Sequence, residues 1–255
     1  MKKALLRFYA ELNDFLVPER KHVVFWHSFW GNPAVKDVVE SRGVPHTEVG
    51  MVLVNSIPVD LLWNLENGDR VSVYPEFRTI DLAAAAGDMF NEGEHHTRFV
   101  LDVHLGKLAA YLRMLGFDTY YKNNLSDHIL ADISYRENRV LLTRDLGLLK
   151  RGKVKHGYYV RSTFPRRQLK EVVSRFQLEN NLNLFKRCMR CNQELTPVNP
   201  EEVSEMLPAG VRQSCSEFSY CQSCKRVFWK GTHYYHMLRI IEEALEARQL
   251  IELKG

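Results

Sequence analysis

Apolar and polar residues alternate in short runs over the first part of the chain, a pattern typical of half-buried strands. Four such runs predict strands at residues 3 to 9, 22 to 26, 51 to 55 and 70 to 74, and residues 33 to 42 predict a short helix that ends at Gly43. Asn67-Gly68-Asp69 is a tight-turn signal before the last of these strands. The predicted order is therefore two strands, one helix and two strands.

This order resembles the β-grasp fold of ubiquitin and of the small sulfur carriers. Sulfur carriers end in a free diglycine, whereas this chain continues through Val73, Tyr74 and Pro75 into further residues, so carrier chemistry is not expected. We predict an N-terminal β-grasp (α+β) domain over residues 1 to 78. A linker is predicted over residues 79 to 96, because TIDLAAAAGDMFNEGEHH has no sustained helical or strand period.

From residue 97 onward the hydrophobic period alternates between that of strands and that of helices. Strands are predicted at residues 98 to 103, 117 to 121, 139 to 143 and 158 to 160, and helices at residues 104 to 115, 126 to 138 and 165 to 178. The run Val140-Leu141-Leu142 is continuously apolar, as buried parallel strands are. Residues 97 to 185 are therefore predicted to form an α/β domain with a mostly parallel sheet.

The length of 255 residues favours more than one compact unit, and 45% hydrophobic with 26% charged residues is ordinary for a globular protein. No apolar run approaches the roughly 20 residues that span a bilayer. The start, MKKALLRFYAELNDF, lacks the apolar core of a signal peptide. Because four of the five cysteines form two CxxC pairs, which suit a reducing compartment, we expect a cytoplasmic protein without a membrane partner.

The two CxxC pairs are separated by 29 residues and offer a single ion four thiolates in a closed tetrahedral shell, the ligand set of structural zinc. The predicted ligands are Cys188, Cys191, Cys221 and Cys224. Unmetallated cysteines or redox pairs are the alternative. We predict a zinc ribbon over residues 186 to 240, with a β insertion between the pairs, and then a C-terminal helix over residues 241 to 255. Cys215 is expected to pack as a small buried hydrophobe.

Three aspartates are predicted at the edge of the parallel sheet where the strands end, the edge at which α/β proteins bind ligands. They are Asp102, Asp127 and Asp145. Carboxylates that lie close together repel one another, and a bound Mg²⁺ or Mn²⁺ ion neutralises this repulsion. We therefore predict a catalytic metal site for phosphoryl chemistry. The alternative for each aspartate is a helix cap or loop carboxylate, above all for Asp127 beside Ser126. Asp132, about 140° around the same helix, is not expected to join them.

Charge is divided unevenly along the chain, although the net charge is only +4. Residues 1 to 96 hold 9 Lys and Arg against 14 Asp and Glu, whereas residues 144 to 190 hold 13 against 3.

The basic stretch, with Tyr158, Tyr159 and Phe164, favours RNA, since cations neutralise phosphates and exposed rings stack on unpaired bases. The predicted RNA contacts are Lys107, Arg144, Lys150, Arg151, Arg166, Arg167 and Lys170. The alternative is an ordinary solvated face, and the acidic front either shields the basic surface or recruits a protein partner.

Four segments carry a resemblance to a known family: FVLDVHLGKLAAYLRMLGFDTYY, SDHILADISYRENRVLLTRD, CMRC and YCQSCKRVFWKGTHYYHM. In this order they resemble the Mut-seven C-terminal RNase family, a PIN-like nuclease domain with a zinc ribbon. The N-terminal domain is similar to the ubiquitin-like domain often fused ahead of it. The resemblance implies a PIN-like fold and metal-dependent RNase activity, with Asp102, Asp127 and Asp145 on the family's acidic positions. PIN nucleases commonly use four acids, and no fourth stands out here.

The leading hypothesis is a metal-dependent ribonuclease, a hydrolase of RNA phosphodiester bonds. The alternative is a non-catalytic binding protein for transfer or ribosomal RNA on a nuclease-like fold. A third hypothesis is a toxin-like nuclease held by an inhibitor, against which the fused front domain argues.

Overall fold

The computed structural model describes residues 1–76 and 97–245. The linker predicted over residues 79 to 96 lies outside this part, as do residues 246 to 255. The chain forms two compact units. The first consists of Met1–His96 with Asp127–Tyr159, and the second consists of Thr97–Ser126 with Val160–Gly255.

Within the described residues the strands are β1 (Lys2–Phe8), β2 (Phe25–Phe29), β3 (Val49–Val54), β4 (Ile57–Val59), β5 (Arg70–Pro75), β6 (Arg98–Leu101), β7 (Asp118–Tyr120), β8 (Val140–Thr143), β9 (Gly157–Tyr159), β10 (Thr196–Val198), β11 (Phe218–Cys221) and β12 (Arg226–Trp229). The α-helices are α1 (Val35–Ser41), α2 (Gly106–Met114), α3 (Asp127–Arg136), α4 (Leu146–Leu149), α5 (Pro165–Phe176), α6 (Ala209–Ser214) and α7 (Thr232–Leu245). Strands and helices alternate regularly from β6 to α5, as the change of hydrophobic period predicted.

Strands β1 to β5 of the first unit form a mixed sheet in the order β2-β1-β5-β3-β4. β1 and β5 run parallel, and the other neighbours are antiparallel. This sheet, with α1 between β2 and β3 in sequence, confirms the predicted β-grasp domain. β4 was not predicted, because the turn before it is Asn55-Ser56, with φ of 51° and 69°, and lacks the glycine that signals such a turn.

Helix α1 packs in the hydrophobic core of this sheet. Its Val35, Val38 and Val39 are buried. The same core contains alternate residues of the central strands, namely Ala4, Leu6, Phe8, Val71 and Val73. Burial of each larger side chain contributes about 1.5–3 kcal/mol, so the period of two along β1 and β5 determines which face of the sheet α1 covers.

The first unit also contains a pair of parallel strands, β8 and β9, with α3 and α4. All four residues of β8 are buried, which explains why its sequence is apolar without alternation. At Gly157, the first residue of β9, an added Cβ would lie 2.7 Å from Leu149 Cδ2 and 3.1 Å from Val154 Cγ1. A side chain at this position would have to displace the end of the Leu149 side chain, so glycine suits the close approach of α4 to β9.

In the second unit β6 and β7 run parallel and are joined by α2. Gly116 ends this helix as predicted, with φ of 102°, and an added Cβ would lie 2.3 Å from the Asn183 carbonyl oxygen. The stop therefore has both a conformational and a packing cause. Parallel strand pairs with intervening helices confirm the predicted α/β class.

The C-terminal part of the second unit has an antiparallel sheet in the order β10-β11-β12. β10 lies between the two CxxC pairs, where a β insertion was predicted, and β11 ends at Cys221, whereas β12 follows Cys224. The final helix, α7, begins at Thr232, earlier than residue 241, and contacts α5. Its buried Leu238, Ile241 and Ala244 recur every three residues and therefore share one face. Among the described helices, none is both long and apolar enough to cross a membrane.

Candidate functional site

The four cysteines of the CxxC pairs come together in the second unit. Their sulfur atoms all lie within 4.8 Å of one another, with Cys191 Sγ 3.4 Å from Cys221 Sγ and Cys188 Sγ 3.9 Å from Cys224 Sγ. Tetrahedral zinc with Zn–S bonds of about 2.3 Å requires sulfurs roughly 3.8 Å apart. The observed separations bracket this value, and four sulfurs fill the coordination shell. The cluster could therefore hold a structural zinc ion, as predicted.

Both CxxC turns have the same backbone geometry. The residue after each second cysteine is left-handed, with φ of 73° at Asn192 and 53° at Lys225. Its N–H donates to the carbonyl oxygen of the first cysteine, at 2.9 Å and 2.8 Å respectively. The backbone of each CxxC turn therefore places its two sulfur atoms in the same way. Asparagine adopts this conformation more readily than most residues, whereas Lys225 gives no such signal in the sequence.

The proximity of the sulfurs couples the ionisation of their thiols. Burial raises the pKa of Cys191, but hydrogen bonds from the Gln193 backbone and from the other cysteines outweigh it, and the pKa falls to about 7. The hydrogen bond with Cys191, together with burial, raises the pKa of Cys224 to about 12. Negative charge is thus favoured on one sulfur, and a divalent cation would displace the remaining protons.

Arg113 of α2 binds the first CxxC turn. Its Nη1 donates to the carbonyl oxygens of Met189 and Arg190, at 3.0 Å and 2.9 Å. Burial lowers the pKa of Arg113, while the charges of Cys191 and Cys188 act in the opposite direction. A buried cation therefore lies beside the cluster that would carry excess negative charge as four thiolates. Sequence reasoning missed Arg113, because an arginine inside a helix belongs to no motif.

Asn192 makes a second connection between the first CxxC turn and β7. Its Nδ2 donates to Asp118 Oδ1 at 2.7 Å, and its Oδ1 accepts the Thr119 N–H at 2.9 Å. Arg187 donates to the Gly116 and Asn192 carbonyl oxygens at 3.2 Å and 3.0 Å. The first CxxC turn is therefore part of the hydrogen-bond network of the α2–β7 connection.

Cys215 lies outside the sulfur cluster, as predicted. It is half-buried and packs on a small apolar core formed by Val203, Leu207 and Phe218. Its surroundings are those of a small hydrophobe.

Asp102 directly follows β6 in the second unit and is 7% exposed. Its Oδ1 accepts the Val103 N–H at 2.6 Å, at the start of the 3-10 turn Val103–Leu105. The carboxylate therefore caps this turn while lying at the carboxyl end of a parallel strand.

The other two predicted carboxylates belong to the first unit. Asp145 is exposed, two residues after β8, and its Oδ1 caps α4 by accepting the N–H groups of Gly147 and Leu148 at 2.6 Å and 3.3 Å. Within the described residues, Asp145 Oδ2 accepts no hydrogen bond. Asp127 is in the first turn of α3, and its Oδ2 lies 3.7 Å from Arg151 Nη2. This basic neighbour was not expected. Because the three aspartates are divided between the units, their grouping stays a prediction.

Three of the predicted RNA contacts are exposed on α5: Arg166, Arg167 and Lys170. Arg166 Nη1 donates to Glu243 Oε2 at 2.8 Å, and the Arg167 guanidinium lies 5.2 Å from the centroid of the Phe164 ring. These contacts leave the cations at the surface, where they can meet phosphates.

The other predicted RNA contacts differ in their surroundings. Lys107 on α2 is exposed. Arg144 lies over the Tyr159 ring, 5.8 Å from its centroid. Lys150 Nζ donates to the Glu40 carbonyl oxygen at 2.8 Å. The Lys150 ammonium is therefore already used within the protein.

The aromatic residues of the basic stretch are not equally accessible. Phe164 is 63% exposed, but Tyr158 is only 4% exposed. Its predicted stacking role is wrong, because side chains alternate along β9 and one of two neighbouring tyrosines must face the core. Tyr159 is half-buried against Phe15, with ring centroids 5.7 Å apart.

Family models match both parts of the chain. Residues 97–241 match the Mut7-C RNAse domain, and residues 1–81 match the Mut7-C ubiquitin domain. Searches of curated proteins and of solved structures gave no match. The RNAse match covers more than half of the chain, includes all four clustered cysteines and supports a nuclease-like, RNA-related function. The chain therefore belongs to the Mut7-C RNAse family and carries a Mut7-C ubiquitin domain at its amino-terminal end.

Proposed function

We propose that the protein is a metal-dependent ribonuclease that hydrolyses RNA phosphodiester bonds, with Asp102, Asp127 and Asp145 as its catalytic carboxylates. The observation that carries the proposal is Asp102, a carboxylate 7% exposed at the carboxyl end of a parallel strand within the RNAse match. Ligands of α/β domains bind at this end of the strands.

Mg²⁺ or Mn²⁺ suits this donor set, because both ions prefer oxygen ligands, and either ion would supply an activated water and neutralise phosphate charge. Asp145 is equipped for this role, since its capping bonds use only Oδ1. The exposed cations of α5 would hold the RNA backbone without reading its bases. Zinc in the cysteine cluster has a structural role in this proposal.

The test is cleavage of labelled RNA by zinc-loaded protein, with and without added Mg²⁺ or Mn²⁺. Omission of metal is a better control than EDTA, because EDTA would also attack the zinc site. Asp102→Asn and Asp145→Asn keep an oxygen that accepts the capping N–H groups, so folding is preserved while the charge is lost. We expect metal-dependent cleavage by the wild type and a loss on the order of 100-fold or more in each variant.

Asp132→Asn is the matched control. Asp132 lies on α3 like Asp127, but its carboxylate pairs with Lys153 and Arg136, both at 2.9 Å. This variant should cleave like the wild type. Full activity in the Asp102→Asn, Asp145→Asn double variant would reject the carboxylate assignment, and RNA retained but uncut with either metal would reject the nuclease.

The second candidate is a non-catalytic RNA-binding protein. It is favoured by the partners that the carboxylates already have, namely backbone N–H groups at Asp102 and Asp145 and Arg151 at Asp127. In that case the aspartate variants bind RNA like the wild type. Alanine at Arg166 or Arg167 weakens binding to all sequences and reduces the salt slope by about 1 for each phosphate that is no longer neutralised.

A further inference from the structure

The ubiquitin-like domain contacts β9, which pairs with β8 in the same unit. The N–H of Tyr159 on β9 donates to the carboxylate of Glu48 at 2.6 Å. Glu48 is 2% exposed, so the acceptor of this hydrogen bond is buried, and a carboxylate accepts more strongly than a neutral group does. The backbone N–H of Tyr159 is thus bound by a side chain 111 positions away in the sequence.

Two further hydrogen bonds bind the loop that precedes β9. His46 Nδ1 lies 2.6 Å from Glu40 Oε1, and its Nε2 lies 2.9 Å from the Val154 carbonyl oxygen. Lys150 Nζ donates to the Glu40 carbonyl oxygen at 2.8 Å. The loop is therefore attached to the end of α1 at one position and to the turn after α1 at another.

Apolar packing accompanies these hydrogen bonds. Phe15 meets the Tyr159 ring edge-on, and a Cβ added at Gly157 would lie 3.4 Å from Thr47 Cγ2. The Thr47 hydroxyl is buried and has no hydrogen-bond partner among the described residues. The hydrogen bonds of this contact therefore come from Glu48, His46 and Lys150, whereas Thr47 contributes packing alone.

We propose that the ubiquitin-like domain is a positioning element for residues 145 to 159, acting through Glu40, His46 and Glu48. Helix α4 packs on β9 and begins at its cap, Asp145, so a displacement of β9 is transmitted to that carboxylate. The inference rests on the proposed function, because it makes the N-terminal domain part of the apparatus that holds Asp145. In this proposal Lys150 holds the loop through its hydrogen bond to Glu40 and does not bind a phosphate.

Amide hydrogen exchange of the full-length, zinc-loaded chain tests the proposal directly. Glu48→Ala leaves the Tyr159 N–H without its acceptor, and we expect exchange across residues 145 to 159 to rise on the order of 10- to 100-fold. Glu48→Gln keeps a side-chain oxygen acceptor and should restore much of the protection. Thr47→Val is the matched control, since it replaces a buried hydroxyl without a partner by a methyl group and should leave exchange unchanged.

Unchanged exchange in Glu48→Ala would overturn the proposal, and so would an equal rise in Thr47→Val, because packing alone would then hold the segment. If Glu48→Ala does not fold, Glu48→Leu takes its place, since it fills the space without an acceptor, and it must exchange faster than Thr47→Val.

RNA cleavage supplies the second readout. Loss of positioning should lower kcat about tenfold or more in Glu48→Ala, with KM little changed and activity recovered in Glu48→Gln. Faster exchange with an unchanged kcat would overturn the positioning role. A wild type that cuts no RNA would refute the ribonuclease, while the exchange result would still decide whether Glu48 holds the segment.

Discussion

His27 on β2 is a buried imidazole, 9% exposed and stacked with the Phe29 ring at 6.0 Å. Burial lowers the pKa of His27, and the charges of Arg42 and Arg20 lower it further. The folded domain therefore favours the neutral ring, whereas the unfolded chain takes up a proton at the ordinary pKa of 6.5. Below that pH the unfolded state binds more protons than the folded state, and folding becomes less favourable.

We predict that the ubiquitin-like domain loses stability as the pH falls through 6.5, until the pH passes the lower pKa of His27 in the folded domain. His27→Gln has no imidazole to protonate, so this variant should lose less stability over the same pH range. Thermal unfolding of both proteins over a pH series measures the difference. An NMR titration that places the His27 pKa at or above 6.5 in the folded protein would contradict the argument.

Among the secondary-structure elements, those with a strong hydrophobic period could be predicted from the sequence. β6 and β8 lie within the runs predicted for them, because fully buried strands have apolar sequences. α4 was missed, since a helix of four residues is too short to show a helical period and its clearest mark is the capping Asp145. Tertiary packing, which decides such short elements, leaves little trace in local sequence.

The connection between α2 and the first CxxC turn leads to a prediction for Arg113. Its buried guanidinium neutralises charge near the sulfurs and binds two carbonyl oxygens of the turn. Arg113→Met should lower zinc affinity on the order of 10- to 100-fold, the usual effect of losing a residue that orients metal ligands. Arg113→Lys keeps the charge but loses the guanidinium geometry that places Nη1 against both carbonyl oxygens. Its zinc affinity should therefore lie between those of the wild type and Arg113→Met. Competition with a chromogenic chelator measures the affinities.

Arg212→Met is a matched control for this experiment, because Arg212 is an exposed arginine of α6. Cobalt substitution, followed by its thiolate charge-transfer absorption, checks that each variant still binds metal through four sulfurs. Equal zinc affinities for the wild type and Arg113→Met would show that Arg113 acts in packing alone.

For the whole molecule, zinc removal should affect the two units differently. Binding free energy of a structural zinc site is folding free energy for the segment that holds it, and the apolar core beside the cluster is small. We predict that chelation removes amide protection from β10, β11 and β12 in the second unit, while β1 to β5 in the first unit keep theirs. Hydrogen exchange before and after chelation, with zinc added back, measures this. Equal loss in both sheets would contradict it.

The two halves of the candidate site differ in how far the sequence could predict them. The four cysteines were found because CxxC is a local pattern with one dominant chemistry. The contacts of Glu48 with Tyr159 and of Arg113 with Met189 join residues 111 and 76 positions apart and follow no motif. Only the folded chain brings these pairs together.

The hydrogen bonds between the first CxxC turn and the α2–β7 connection also bear on how this protein can be recombined. Arg113 and Asp118 precede the predicted ribbon in sequence, yet their partners Met189 and Asn192 belong to it. A chimaera that takes its ribbon from one relative and its nuclease domain from another would separate these pairs. Viable exchanges should therefore transplant residues 113, 118 and 192 together. Among natural relatives, the residues at these three positions should change together.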